Sequence, residues 1–118
     1  MATLTVADIV PAGSAVTLTA ADVAGDRFVA DNTGRHFFDL NNASGGSVNV
    51  TIAAKQTSGR DPNAGAITIG NIVVAVGAGA RFLIGPIAPA YIGADGFVDV
   101  TYSAVTSVTV RPRRLPPV

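Results

Sequence analysis

The chain has 118 residues, enough for one domain with a sizeable core and no need of disulfides. It carries 8 basic and 8 acidic side chains, so its formal charge is zero, which argues against a general nucleic-acid binder. Cysteine is absent, which excludes disulfides, thiol nucleophiles and thiolate metal sites, and no run of about 18 apolar residues exists to form a membrane-spanning helix.

All the acids are Asp, and every base except Lys55 is Arg. Lys and Glu favour exposed helix surface, so their scarcity beside abundant Val and Thr fits an all-β chain. The N-terminus, MATLTVAD, lacks the basic segment and apolar run of a secretory signal, as expected of an unexported protein. The sequons at Asn42-Ala43-Ser44 and Asn49-Val50-Thr51 then read as chance matches.

Residues 3–8 and 15–19 alternate in the manner of half-buried strands and flank a turn at Pro11-Ala12-Gly13. Residues 26–31 form the next strand, and Asn32-Thr33-Gly34 turns the chain. In RHFFDLNN, residues 35–42, Phe38 and Leu40 share one face and Phe37 lies on the other. A turn over 43–46 leads into a strand at 47–55, where Val48, Val50 and Ile52 alternate with polar or small residues. Residues 57–65 (TSGRDPNAG) read as an exposed loop.

Strands are expected at 66–69 and 71–76, split by Gly70, and Gly77-Ala78-Gly79 reads as a hairpin turn into 80–84. The segment Gly85–Gly93 is too rich in Pro for a strand interior and leaves room for one helical turn at 90–92. Asp95-Gly96 signals a tight turn. Strands 97–103 and 105–111 read as a terminal hairpin. The sum is a single antiparallel β-sandwich, or a jelly-roll or barrel-like domain, of about eight or nine strands over 1–110. The tail RPRRLPPV, 111–118, reads as a separate basic arm, because Pro112, Pro116 and Pro117 oppose sheet pairing.

Chemistry-bearing patterns are sparse. His36 is the only histidine and lies between Arg35 and Phe37 on an alternating strand, where a structural role outweighs a catalytic one. No G-x-S-x-G elbow, P-loop or EF-hand spacing occurs, and Gly77-Ala78-Gly79 lacks the rest of a dinucleotide fingerprint. Asp22 with Asp26, or Asp61 with Asn63, could touch a cation, but neither forms a metal-binding pattern. The residues therefore suggest a non-enzymatic protein without cofactor or metal that works through its surface. Candidate partner contacts are Arg111, Arg113 and Arg114 of the arm, because guanidinium groups pair well with carboxylates. Phe37, whose neighbour Phe38 must point the other way, either joins them as a partner contact or covers the second face of the sheet.

The stretch from about Asp26 to Arg111 resembles small proteins of tailed bacteriophages. The motifs are F-x-x-x-N-x-G at Phe28–Gly34, HFFDLNNASGGSVNVTI, G-P-x-x-P-x-x-Y at Gly85–Tyr91, then D-G-x-V-x-V-T-Y-S and V-T-S-V-T-V. The resemblance implies a capsid decoration (cement) protein that binds the outside of the mature head and reinforces it by bridging subunits. Its implied partner is the major capsid protein, with a homo-oligomer, a trimer by preference, and no nucleic acid or membrane. Its implied place is the virion surface after synthesis in the host cytoplasm. A tail-tube or head–tail joining protein, or a glycan or host-surface binding module, are the alternative readings.

Overall fold

A computed structural model describes residues 2–13, 15–61, 63 and 65–116. Two sheets pack face to face. Sheet I takes, in spatial order, β1 (Ala2–Thr3), β4 (Asp26–Val29), β11 (Phe97–Tyr102), β6 (Val48–Ile52) and β9 (Ile72–Val76). Sheet II takes β10 (Arg81–Ile84), β5 (His36–Asn42), β12 (Val108–Arg114) and β2 (Ala7–Asp8), and β3 (Thr19–Ala20) also pairs with β12. A separate hairpin joins β7 (Ser58–Asp61) to β8 (Gly65–Thr68), and one 3-10 turn spans Pro89–Tyr91. The fold is thus the all-β sandwich that the alternation implies. Among the described residues, no helix is long and apolar enough to cross a membrane.

The core lies between the sheets. Val98 and Val100 of β11, Val48, Val50 and Ile52 of β6, and Val108 and Val110 of β12 are all buried, each alternating with outward neighbours. Phe28 and Phe38 stack across the interface with ring centroids 5.7 Å apart. Tyr102 packs on Phe38 and donates its hydroxyl to the buried Asp26 carboxylate at 2.7 Å. Burial, and then that bond, push the Tyr102 hydroxyl far above its ordinary range, so it remains a donor.

Several elements depart from the sequence expectation. Both turns expected to close hairpins are corners between sheets: β9 and β10 lie in different sheets, and so do β11 and β12. Asn42 makes the first corner. Its amide nitrogen lies within bonding distance of the carbonyls of Gly46, Val76 and Gly77, at 2.9, 3.0 and 3.2 Å. Its side-chain oxygen accepts from Ser44, and its backbone bonds Gly79 and Ala80. A fully satisfied buried amide therefore ties the end of β5 to the chain leaving β9.

The expected strand at 3–8 breaks in two. This segment crosses from the edge of sheet I, where β1 runs parallel to β4, to the edge of sheet II, where β2 runs parallel to β12. Leu4 is buried on the way. These pairings make the sheets mixed, not purely antiparallel. The region 57–65, read as a loop, is mostly the β7–β8 hairpin.

The arm expected at 111–118 is not separate up to Leu115. β12 runs on through Pro112 to Arg114, paired with β5 along its whole length. Val108 and Arg114 offer their carbonyls to Ala21 and Ile9, so the backbone N–H and C=O groups of the even positions of β12 point away from β5. The backbone nitrogen of Pro112 therefore faces the gap between β3 and β2, where no ladder donor is needed. Leu115 then exchanges bonds with Arg35. Pro117 and Val118 lie outside the described residues.

Gly85 sits at a φ of +144°, and a Cβ there would stand 2.9 Å from the Phe37 ring and 3.1 Å from the His36 carbonyl. Gly85→Ala should therefore cost about 1–3 kcal/mol. Asn42→Leu should cost roughly 1–3 kcal/mol by removing the buried bond to the Val76 carbonyl and the bonds that tie Ser44 to the corner. Urea unfolding checks both: the midpoint should fall while the slope stays unchanged.

Candidate interaction surface

Because β5 buries its even positions, its odd positions face outward from sheet II. Phe37, Asp39 and Asn41 lie there, opposite Arg113, Arg111 and Thr109 of β12. On the other side of β5, Leu83 and Arg81 of β10 lie opposite Asp39 and Asn41. Three strands thus place three guanidinium groups and one carboxylate on one face.

Asp39 is the centre of the group, with its side chain only 5% exposed. Arg81 grips it with two bonds, Nε to Oδ1 at 3.0 Å and Nη2 to Oδ2 at 2.7 Å. Arg113 adds Nη2 to Oδ2 at 2.9 Å. The bond to Asp39 raises the already high pKa of Arg81, so its charge is fixed. Arg111 turns the other way, toward β3, and donates to the Thr17 carbonyl at 3.1 Å. The Nε atoms of Arg111 and Arg113 are buried with no acceptor among the described residues. Asp39, Arg81, Phe82, Leu83 and Arg113 line a shallow cleft of about 520 Å³.

Phe37, Arg111 and Arg113, expected from sequence as partner contacts, thus share this face. Arg114 does not. It belongs to a second cleft, of about 350 Å³, and forms a two-bond pair with Asp8, at 2.8 and 3.0 Å. That pair clamps β2 onto the end of β12. Sequence reasoning missed Arg81 and Asp39. The alternation in RHFFDLNN already put Asp39 on the side of Phe37, but nothing local told that β10 would lie beside it.

His36 lines the second cleft with Asp8, Asp31, Arg114, Leu4 and Thr5. Its Nδ1 is 3.4 Å from Asp31 Oδ1, and the residue is buried beneath the N-terminal segment. Burial lowers its pKa, opposed by the Asp31 charge and aided by Arg114. Asp31 is held below the usual carboxylate range by bonds from the Thr33 hydroxyl and amide, and Asp8 by its bond from Arg114. Asp26, named with Asp22 as a possible cation contact, is buried and accepts from the Asp22 amide at 3.2 Å and from Tyr102. The side chain of Asp61 lies outside the described residues. Among the described residues, no three His, Asp, Glu or Cys side chains converge to hold a metal.

The outer face of sheet I is built differently. Asp99 pairs with Lys55 and lies 3.7 Å from Arg27, whose guanidinium sits 4.8 Å above the Phe97 ring. There the cations are taken up by neighbours within the sheet. Comparison of the chain with protein-family models, curated proteins and solved structures found no match.

The lowered pKa of His36 has a stability consequence of definite sign. Below about pH 6.5 the unfolded chain binds a proton that the folded histidine refuses, so acid favours unfolding. Stability should fall as pH drops from 6.5 and level off once the folded His36 itself protonates. Asp8 and Asp31 lose their contribution in a separate window, below about 3.8. Urea unfolding from pH 7 to 4.5 should show a clearly shallower decline for His36→Gln than for the unaltered chain.

Proposed function

We propose that this chain is a non-enzymatic structural protein of a tailed-phage virion. It binds the outer surface of the mature capsid as a decoration protein and reinforces the shell by bridging capsid subunits. One observation carries the binding mode: Arg81, Arg111 and Arg113 come from two different strands onto one outward face, where the buried Asp39 holds Arg81 and Arg113. That face is rigid, because it stands on the longest strand pair of the fold, and it carries more positive than negative charge in a chain of zero formal charge. The motifs that resemble phage proteins supply the other support. They fall on β4, on β5 through β6, and from Gly85, just after β10, through β11 into β12, and so span both sheets of the sandwich.

The partner on this reading is the major capsid protein, with its acidic surface groups meeting the guanidinium groups. Each contact need only be weak, since many copies on a repeating lattice add by multivalency, and trimers at threefold positions would multiply the gain. Selective binding to the expanded head would stabilise that form by linkage. The protein would be made in the host cytoplasm and end on the virion surface.

Sedimentation with phage particles tests the proposal. Purified protein should bind expanded undecorated heads saturably, in proportion to threefold positions, and bind unexpanded procapsids far less. Replacing Arg81, Arg111 and Arg113 with Ala should lower occupancy at least about tenfold at matched salt. Arg27→Ala, on the opposite sheet, should leave occupancy unchanged. Equal occupancy for the triple variant would overturn the assignment of this face, and absence of binding to either particle would overturn the decoration role.

A further inference from the structure

Sheet II ends at β10, and no described strand covers its outer edge. The Asn42 backbone N–H bonds the Ala80 carbonyl and the Ile87 N–H bonds the His36 carbonyl, so the backbone groups of the even positions of β5 point toward β10. Their partners Phe82 and Ile84 therefore face inward along the ladder. The backbone N–H and C=O groups of Arg81 and Leu83 point out of the sheet edge. They form a ready template for one more strand.

The side chains beside this edge specify what would fit. Arg81 and Leu83 stand on the outer face, half exposed at 50% for the Arg81 side chain and 56% for Leu83. Phe82 stands on the other side of the strand, 39% exposed at the seam between the sheets. Because side chains alternate, a strand added here would place every second residue beside Arg81 and the others beside Phe82. Asp39 holds Arg81 by two bonds, the remaining N–H groups of Arg81 meet no other acceptor among the described residues, and Arg113 lies on the far side of the same carboxylate.

We infer that the free edge of β10 and the guanidinium groups beside it form a docking site for an extended partner segment in which carboxylate and apolar side chains alternate. Charge selects this occupant. A second copy of the same face would set guanidinium groups against guanidinium groups, whereas acids would meet Arg81 and Arg113. The other edges of the two packed sheets are less suited. β1, β2 and β3 are two residues long. β9 offers Val73 and Ala75 with no charged neighbour in its own strand. The identity of the partner as a capsid protein rests on the proposed function, but the chemistry of the site does not.

Amide NMR on the full chain tests the inference, with a short capped peptide alternating Asp with Val as the probe. A second peptide with Lys in place of Asp is the control. The Asp peptide should bind saturably and slow hydrogen exchange at the Arg81 and Leu83 amides, while Phe82 and Ile84, already bonded to β5, change little. The Lys peptide should not bind. Arg81→Ala should weaken binding about tenfold. Leu83→Pro, which removes an outward donor and no ladder bond, should abolish it while amide dispersion reports an intact fold. Failure of the Asp peptide to bind, equal binding of the Lys peptide, or protection at Val73 and Ala75 instead would overturn the inference. Saturable binding to expanded heads alongside any of these results would leave the decoration role standing, and peptide binding without head binding would leave the docking site standing alone.

Discussion

The pairing of β5 with β12 is the constraint on which the rest of the molecule depends. It runs from Val108 opposite Asn42 to Arg114 opposite His36. Strand periodicity then sorts two sets of side chains at once. Phe38, Leu40, Val108, Val110 and Pro112 enter the core, while Phe37, Asp39, Arg111 and Arg113 face out. A slip of one residue in either strand would bury a charge and expose core residues of that strand. The register that builds the core is therefore the register that builds the charged face, and neither can drift without the other.

The two flanks of the sandwich are finished differently. On one flank, residues 2–20 supply three two-residue strands that cap both sheets, with the Asp8–Arg114 pair as clamp. On the other flank the chain turns directly from β9 to β10 through the corner held by Asn42. That corner spends its hydrogen bonds on joining the sheets, and among the described residues no strand pairs with the outer edges of β9 and β10. Exposed edges usually carry charge, Pro or short length against unwanted pairing. β10 is short and carries Arg81, which discourages apolar strands yet leaves an acidic one welcome.

Much of this was legible in local sequence. Alternation placed Val48, Val50, Ile52, Val98, Val100, Val108 and Val110 correctly, and the neighbours Phe37 and Phe38 part to opposite faces as alternation requires. The alternating strand expected around His36 is present, and the structure buries the histidine. Local period does not encode which sheet a strand joins, so Gly77-Ala78-Gly79 read as a hairpin although a buried amide far along the chain makes it a corner. Pro112 misled for a related reason. A missing donor breaks a ladder only where a partner strand stands on that side, and here the side is a gap. Arg81 went unnoticed because its role depends on lying across β5 from Arg113, a non-local fact.

Asp39 explains why the outward face is ordered and not merely charged. Removing a carboxylate from water is unfavourable, and two guanidinium groups with charge-assisted bonds offset that penalty. An apolar residue at this position would cover the strand as well, but Arg81 and Arg113 would then be free to wander, and each would lose entropy on meeting a partner. Holding them by one end fixes their direction in advance, so less freedom remains to be lost on binding. The buried acid thus reads best as a positioning residue for cations, with its own charge more than matched by theirs. On the proposed role such preorganisation suits a surface repeated many times over a shell, where a modest gain at each copy multiplies across the lattice.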